Sequence, residues 1–86
     1  MVSKLSKKYY PRKGVYMMPL TLANIGEENT IRRIGGGSEF RKHLEDMGFV
    51  AGGSVTVVSD IGGNLIVNVK DARVAIGREM AVRIMI

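Results

Sequence analysis

Apolar residues along this chain recur with two different periods. Between Ser38 and Met47 they fall at Phe40, Leu44 and Met47. Those spacings of four and three residues lay one stripe along a helix. From Ser54 onward they alternate with polar or small residues instead. Val55 and Val57 form one run, Leu65, Val67 and Val69 a second, Val74 and Ile76 a third, and Val82, Ile84 and Ile86 a fourth. Such alternation turns one face of each strand toward a core. Gly52-Gly53, Asp60-Ile61-Gly62-Gly63 and Lys70-Asp71 separate the runs and read as turns. Gly77 to Met80 is a short turn with room for a single helical one. A further strand is expected over Asn29–Gly35, where Ile34 breaks strict alternation and a bulge or strong coiling would reconcile it. The opening run Pro19–Ile25 is apolar at Leu20, Leu22 and Ile25 but too short to assign.

The helix carries its own punctuation. Ser38 is the expected N-cap, and Glu39 suits the positive end of the helix dipole. Arg41–Glu45 and Lys42–Asp46 are i,i+4 pairs of opposite charge. Gly48 stands where a left-handed residue ends a helix, and Phe49 can fold back onto the stripe. A helix this short is marginal alone and must pack on a sheet. Short strands joined by Gly-rich turns then predict a mostly β fold, a small β-barrel of five strands with one short inserted α-helix. Its expected core is Phe40, Leu44, Met47, Val55, Val57, Val67, Val74 and Ile84.

Eighty-six residues hold one domain. The formal charge of +5 invites a nucleic-acid reading, but its distribution is lopsided. Lys4, Lys7, Lys8, Arg12 and Lys13 precede the first acid, Glu27, while residues 19–86 carry eight basic and eight acidic side chains. Residues 1–18 therefore read as a basic, disordered extension and residues 19–86 as the domain. Tyr9, Tyr10 and Tyr16 lie near those lysines, where rings can stack on bases. A small nucleic-acid-binding β-barrel is accordingly the alternative reading. The body offers it only Phe40 and Phe49, both assigned to the core. No apolar run approaches the ~20 residues that cross a bilayer.

Catalytic chemistry finds no foothold. The chain has no cysteine and one histidine, His43. A zinc site would need carboxylates for its remaining ligands, and a serine nucleophile would need that same histidine as its base. Gly35-Gly36-Gly37 before the helix lacks the lysine and spacing of a phosphate-binding loop. The expectation is no catalytic residue, no cofactor and no resident metal.

Several segments in order resemble a known family. They are Pro19-Leu20 with Leu22, Gly26 before the first strand, Leu44-Glu45-Asp46-Met47-Gly48-Phe49-Val50 with Gly52, and Ala75-Ile76-Gly77-Arg78-Glu79-Met80-Ala81 before an apolar end. This pattern over residues 19–86 resembles the ferrous iron transport protein A (FeoA) family. The resemblance implies an SH3-like β-barrel with the helix after the first strand. It also implies a cytoplasmic accessory, recruited to the inner face of the membrane by a large Fe(II) transporter with a cytoplasmic GTPase domain. Two departures stand out: the extension before Met17, and Ala51 where the family commonly has proline. The helix interrupts a run of strands, so its outward face is the expected contact, with Arg41, Lys42, Glu45 and Asp46 setting orientation and Met47 or Phe49 as an apolar centre.

Residues 1–16 contribute no periodic apolar face, so deleting them should leave the fold intact. Amide spectra of the full and shortened proteins test this; widespread shifts through the strands would make the segment part of the domain.

Overall fold

A computed structural model describes residues 17–86, so the expectations for residues 1–16 lie outside the described residues. A 3-10 turn, Leu20–Leu22, opens the fold. It is followed by β1 (Glu28–Thr30), β2 (Arg33–Ile34), α1 (Ser38–Asp46), β3 (Ser54–Ile61), β4 (Asn64–Val69), β5 (Ala72–Ile76), α2 (Arg78–Ala81) and β6 (Ile84–Met85). The strands make a four-stranded sheet in the order β1-β3-β4-β5 and a two-stranded sheet of β2 and β6. All the pairings are antiparallel.

The strand expected over Asn29–Gly35 is two strands, because the chain changes partner in the middle. Ile31 donates its N–H to the Gly53 carbonyl at 2.8 Å and accepts from Gly52 at 2.7 Å, which ties it to the β3 side. The next residue, Arg32, donates to the Met85 carbonyl at 2.7 Å, on the β6 side. Ile31 and Ile34 are buried while Arg32 and Arg33 both face solvent. The broken alternation is thus the mark of a strand passing from one sheet to the other, and among the described residues six strands replace the expected five.

Both hairpins follow from their turn residues. Gly62 and Gly63 have positive φ, and the Gly63 N–H reaches Asp60 Oδ1 at 2.8 Å. Lys70 and Asp71 adopt φ of 51° and 62°. Left-handed residues at both central positions match the twist of the flanking strands. In β3 the pairing shifts register between Val57 and Ser59, a bulge that leaves Val58 unpaired.

The C-terminal run differs from expectation. Val82–Ile86 is not one strand: α2 occupies Arg78–Ala81, Val82 caps it and lies exposed, and only Ile84–Met85 pair. Asn64 Oδ1 accepts the Arg78 N–H at 3.1 Å, fastening the start of α2 to the β3–β4 hairpin. The chain then returns to its beginning, where Met18 and Ile86 exchange two backbone hydrogen bonds.

One core lies between the sheets. Leu20, Ile31, Leu44, Phe49, Val55, Val57, Leu65, Val67 and Ile84 are essentially removed from solvent. Phe40, Met47 and Val74 are only partly buried and pack against its margin. Leu44→Ala should therefore cost about 2–5 kcal/mol, much of the stability of a domain this small. Chemical denaturation measures it, and a loss below ~1 kcal/mol would contradict this packing.

Candidate functional site

Two contacts, one in its first turn and one at its exit, hold α1 in place and decide which of its side chains face outward. At its start the N-cap is Gly37 in extended conformation with no side-chain cap. Ser38, expected as the cap, is instead the first helical residue, because the extended backbone needed at a cap falls one position earlier. In the first turn the Phe40 ring lies 5.5 Å from the Arg83 guanidinium carbon, a cation–π contact on the flank of β6. Gly36 lets the chain pass that ring, since a Cβ there would stand 2.7 Å from Phe40 Cδ2.

The second contact is the helix exit. Gly48 has φ of 106°. Its N–H donates to the Glu45 carbonyl and the Phe49 N–H to the Leu44 carbonyl, both at 2.9 Å. This paired arrangement satisfies the last carbonyls of a helix and requires a left-handed residue at its centre. It turns Phe49 under the helix beside Leu44, and both side chains are fully buried.

Arg41, Lys42, Glu45 and Asp46 are accordingly exposed, as is His43, and Met47 is partly buried. Phe49 is at 0% exposure, which removes it from any contact surface. It was a candidate apolar centre because it follows the helix directly; the left-handed turn at Gly48 sends it inward instead.

Beside the helix exit lies an open groove of about 490 Å3, lined by Glu28, Gly48, Gly53, Ser54, Thr56, Asn68, Lys70 and Asp71. Its floor is the outer face of the larger sheet, where Glu28 pairs with Thr56 and Thr56 with Asn68 across β1, β3 and β4. Its wall is the Lys70-Asp71 turn, and the Lys70 Cδ passes close over Gly48. Polar residues alternating with buried valines signal such a face in the sequence. Their gathering into one groove depends on strand neighbours that alternation does not reveal. Apolar side chains are also exposed where the sequence pattern does not mark them: Leu22 at the end of the 3-10 turn, Ile25 beyond it, Ile61 at the β3–β4 tip, and Val82. Among the described residues no three His, Asp or Glu side chains converge as a metal site would require, and no helix is long and apolar enough to cross a membrane.

Two packed sheets, one inserted helix and a polar groove define a small SH3-like β domain. Residues 18–86 match the FeoA domain, and the chain belongs to the FeoA family. A Methanocaldococcus jannaschii protein named "Putative Fe(2+) transport protein A" is 34% identical over 70 residues, 81% of this chain and 85% of that protein. A crystal structure of an iron uptake regulatory protein, FeoA, superposes with a TM-score of 0.73 at 31% identity, covering 83% of this chain and 95% of the other. The zinc-complexed FeoA of Stenotrophomonas maltophilia, described as a prokaryotic SH3 domain protein, gives 0.61 at 25% identity over 78% of this chain and 86% of its own.

The scattered donor set around exposed His43 leads to one expectation about metal. Purified protein should contain well under one iron or zinc per chain, and His43→Ala should leave that content and the stability unchanged. One tightly held metal per chain, lost in the variant, would contradict it in elemental analysis.

Proposed function

We propose that this protein is a non-catalytic accessory of ferrous iron uptake, binding the cytoplasmic part of a GTPase-linked Fe(II) membrane transporter. Membership of the FeoA family supports the iron-transport setting. The names of its relatives point the same way: one is named for Fe(2+) transport, another as a candidate ferrous iron transport activating factor. In this reading the protein works in the cytoplasm and reaches the membrane through its partner.

The contact we assign is the outward face of α1 with the groove at its exit. The observation that carries it is the way α1 is mounted. Leu44, Gly48 and Phe49 fasten one side of a nine-residue helix to the core, while Arg41, Lys42, Glu45 and Asp46 all stand in solvent on the other. A helix backbone already held by the core does not have to be ordered on binding, so the ordering cost falls on the side chains alone. Its mixed charges select orientation and exclude wrong partners more than they add affinity. Met47, partly exposed beside the groove, is the apolar element of the contact. The nucleic-acid alternative lacks support in the described domain, where Phe49 is buried and Phe40 is partly buried beside Arg83, so neither offers an open stacking face.

Reversing Arg41 and Lys42 to Glu should leave stability within ~1 kcal/mol, since both side chains are exposed. The same change should weaken binding to the transporter's cytoplasmic domain by about tenfold or more, through unlike contacts made like. A titration with both proteins side by side decides it. Equal binding by the two would reject the α1 face, and failure of the folded original to bind would reject the partner.

A further inference from the structure

We infer that β5 is a self-association edge, through which two copies of this chain pair antiparallel and join their four-stranded sheets into one eight-stranded sheet. β5 has β4 on one side and, among the described residues, no strand on the other. The phase of its unpaired groups follows from the hairpin. A two-residue turn is closed by a hydrogen-bonded pair, here Val69 with Ala72. Val67 with Val74 and Leu65 with Ile76 are then the next such pairs. Ala72, Val74 and Ile76 therefore spend their backbone groups on β4. By this phase Arg73 and Ala75 direct both N–H and C=O to the open side, and among the described residues none of these four groups bonds to the backbone of a turn, loop or cap.

That phase is self-complementary. With the two-fold axis at Val74, Arg73 of one copy faces Ala75 of the other, and the reverse. Both are hydrogen-bonded pairs in this register, so all four free N–H and C=O groups of each copy are satisfied in four bonds across the axis. Val74 meets its own counterpart at the non-hydrogen-bonded position, where side chains approach most closely and a β-branched pair packs well. The charges agree with this register. Arg73 is the only charged residue of β5, and it is set opposite a small neutral residue. Centring the pair on Arg73 instead would place two guanidinium groups face to face. Arg73 is already drawn over its own sheet, its Nε donating to Asn68 Oδ1 at 3.3 Å. The edge carries none of the proline or bulge that commonly blocks such pairing. The resulting interface is isologous and closed, so it stops at the dimer. The occupant we assign is a second copy, because the register serves a partner with this same strand.

Ala75 is exposed and faces Arg73 of the other copy, which gives a test that changes sign. Sedimentation equilibrium of the full chain, from about 10 µM to about 1 mM, reads the dimer midpoint. Ala75→Glu should tighten the dimer and Ala75→Arg loosen it, each by roughly 2- to 30-fold from two symmetry-related charge pairs. Arg73→Glu combined with Ala75→Arg should restore association beyond the original. Hydrogen exchange at the Arg73 and Ala75 amides should slow as concentration rises. A monomer throughout the range in all four proteins, or Ala75→Glu and Ala75→Arg moving the midpoint in one direction, would overturn the inference. So would slow exchange of those amides at the lowest concentration in a monomer, which would mean that the chain covers its own edge.

Discussion

The structure depends on one left-handed residue. Gly48 ends the helix, satisfies its last carbonyls through Gly48 and Phe49, and sends Phe49 into the core beside Leu44. A helix of nine residues does not persist in water without tertiary contacts. Burial of two large side chains on either side of Gly48 supplies those contacts. Any residue with a Cβ would hold this backbone at a cost, and the Val69 side chain and the stem of Lys70 already lie in contact distance of the site. The same residue lines the groove, so the geometry of the exposed surface is set by the exit that anchors the helix.

Around that anchor the two sheets are joined by sharing a strand's path. The chain bonds to the β3 side through Ile31 and to the β6 side through Arg32. The C-terminal strand closes the arrangement by pairing with β2 and by bonding Ile86 to Met18. Sharing one core between a large and a small sheet leaves β1 and β5, among the described residues, as edges of the larger sheet. Among the described residues the four-stranded sheet is therefore not closed into a barrel by hydrogen bonds.

Local signals were legible in the sequence, and partner choices were not. The stripe Phe40, Leu44, Met47 marked the helix, Gly48 marked its end, and the paired turn residues marked both hairpins. Alternation identified Val55, Val57 and Val67 as core. The passage from one sheet to the other at Ile31–Arg32 was visible only as a fault in alternation, because hydrogen-bond partners distant in sequence leave no local trace. The helical turn α2 falls where a short turn is expected, over Gly77–Met80; the apolar run that follows hides only that it extends to Ala81 and that Val82 caps it instead of opening the last strand. Four charged positions on α1 were read as exposed from helical geometry alone. Phe49 was open to either role, since one residue beyond a helix can point in or out until the dihedral at Gly48 is known. The groove beside α1 could not be read at all, as Glu28, Thr56 and Asn68 come from three strands.

A rigid helix with one anchored and one free face makes a specific claim about where a partner is felt. The most direct measurement is an amide chemical-shift titration of isotope-labelled protein with the transporter's cytoplasmic domain. The account predicts the largest changes over residues 41–48 and at Lys70 and Asp71, with little change at Ile61–Gly63 on the far hairpin tip. Changes centred instead on Leu22, Ile25 and Ile61, leaving the helix untouched, would contradict it.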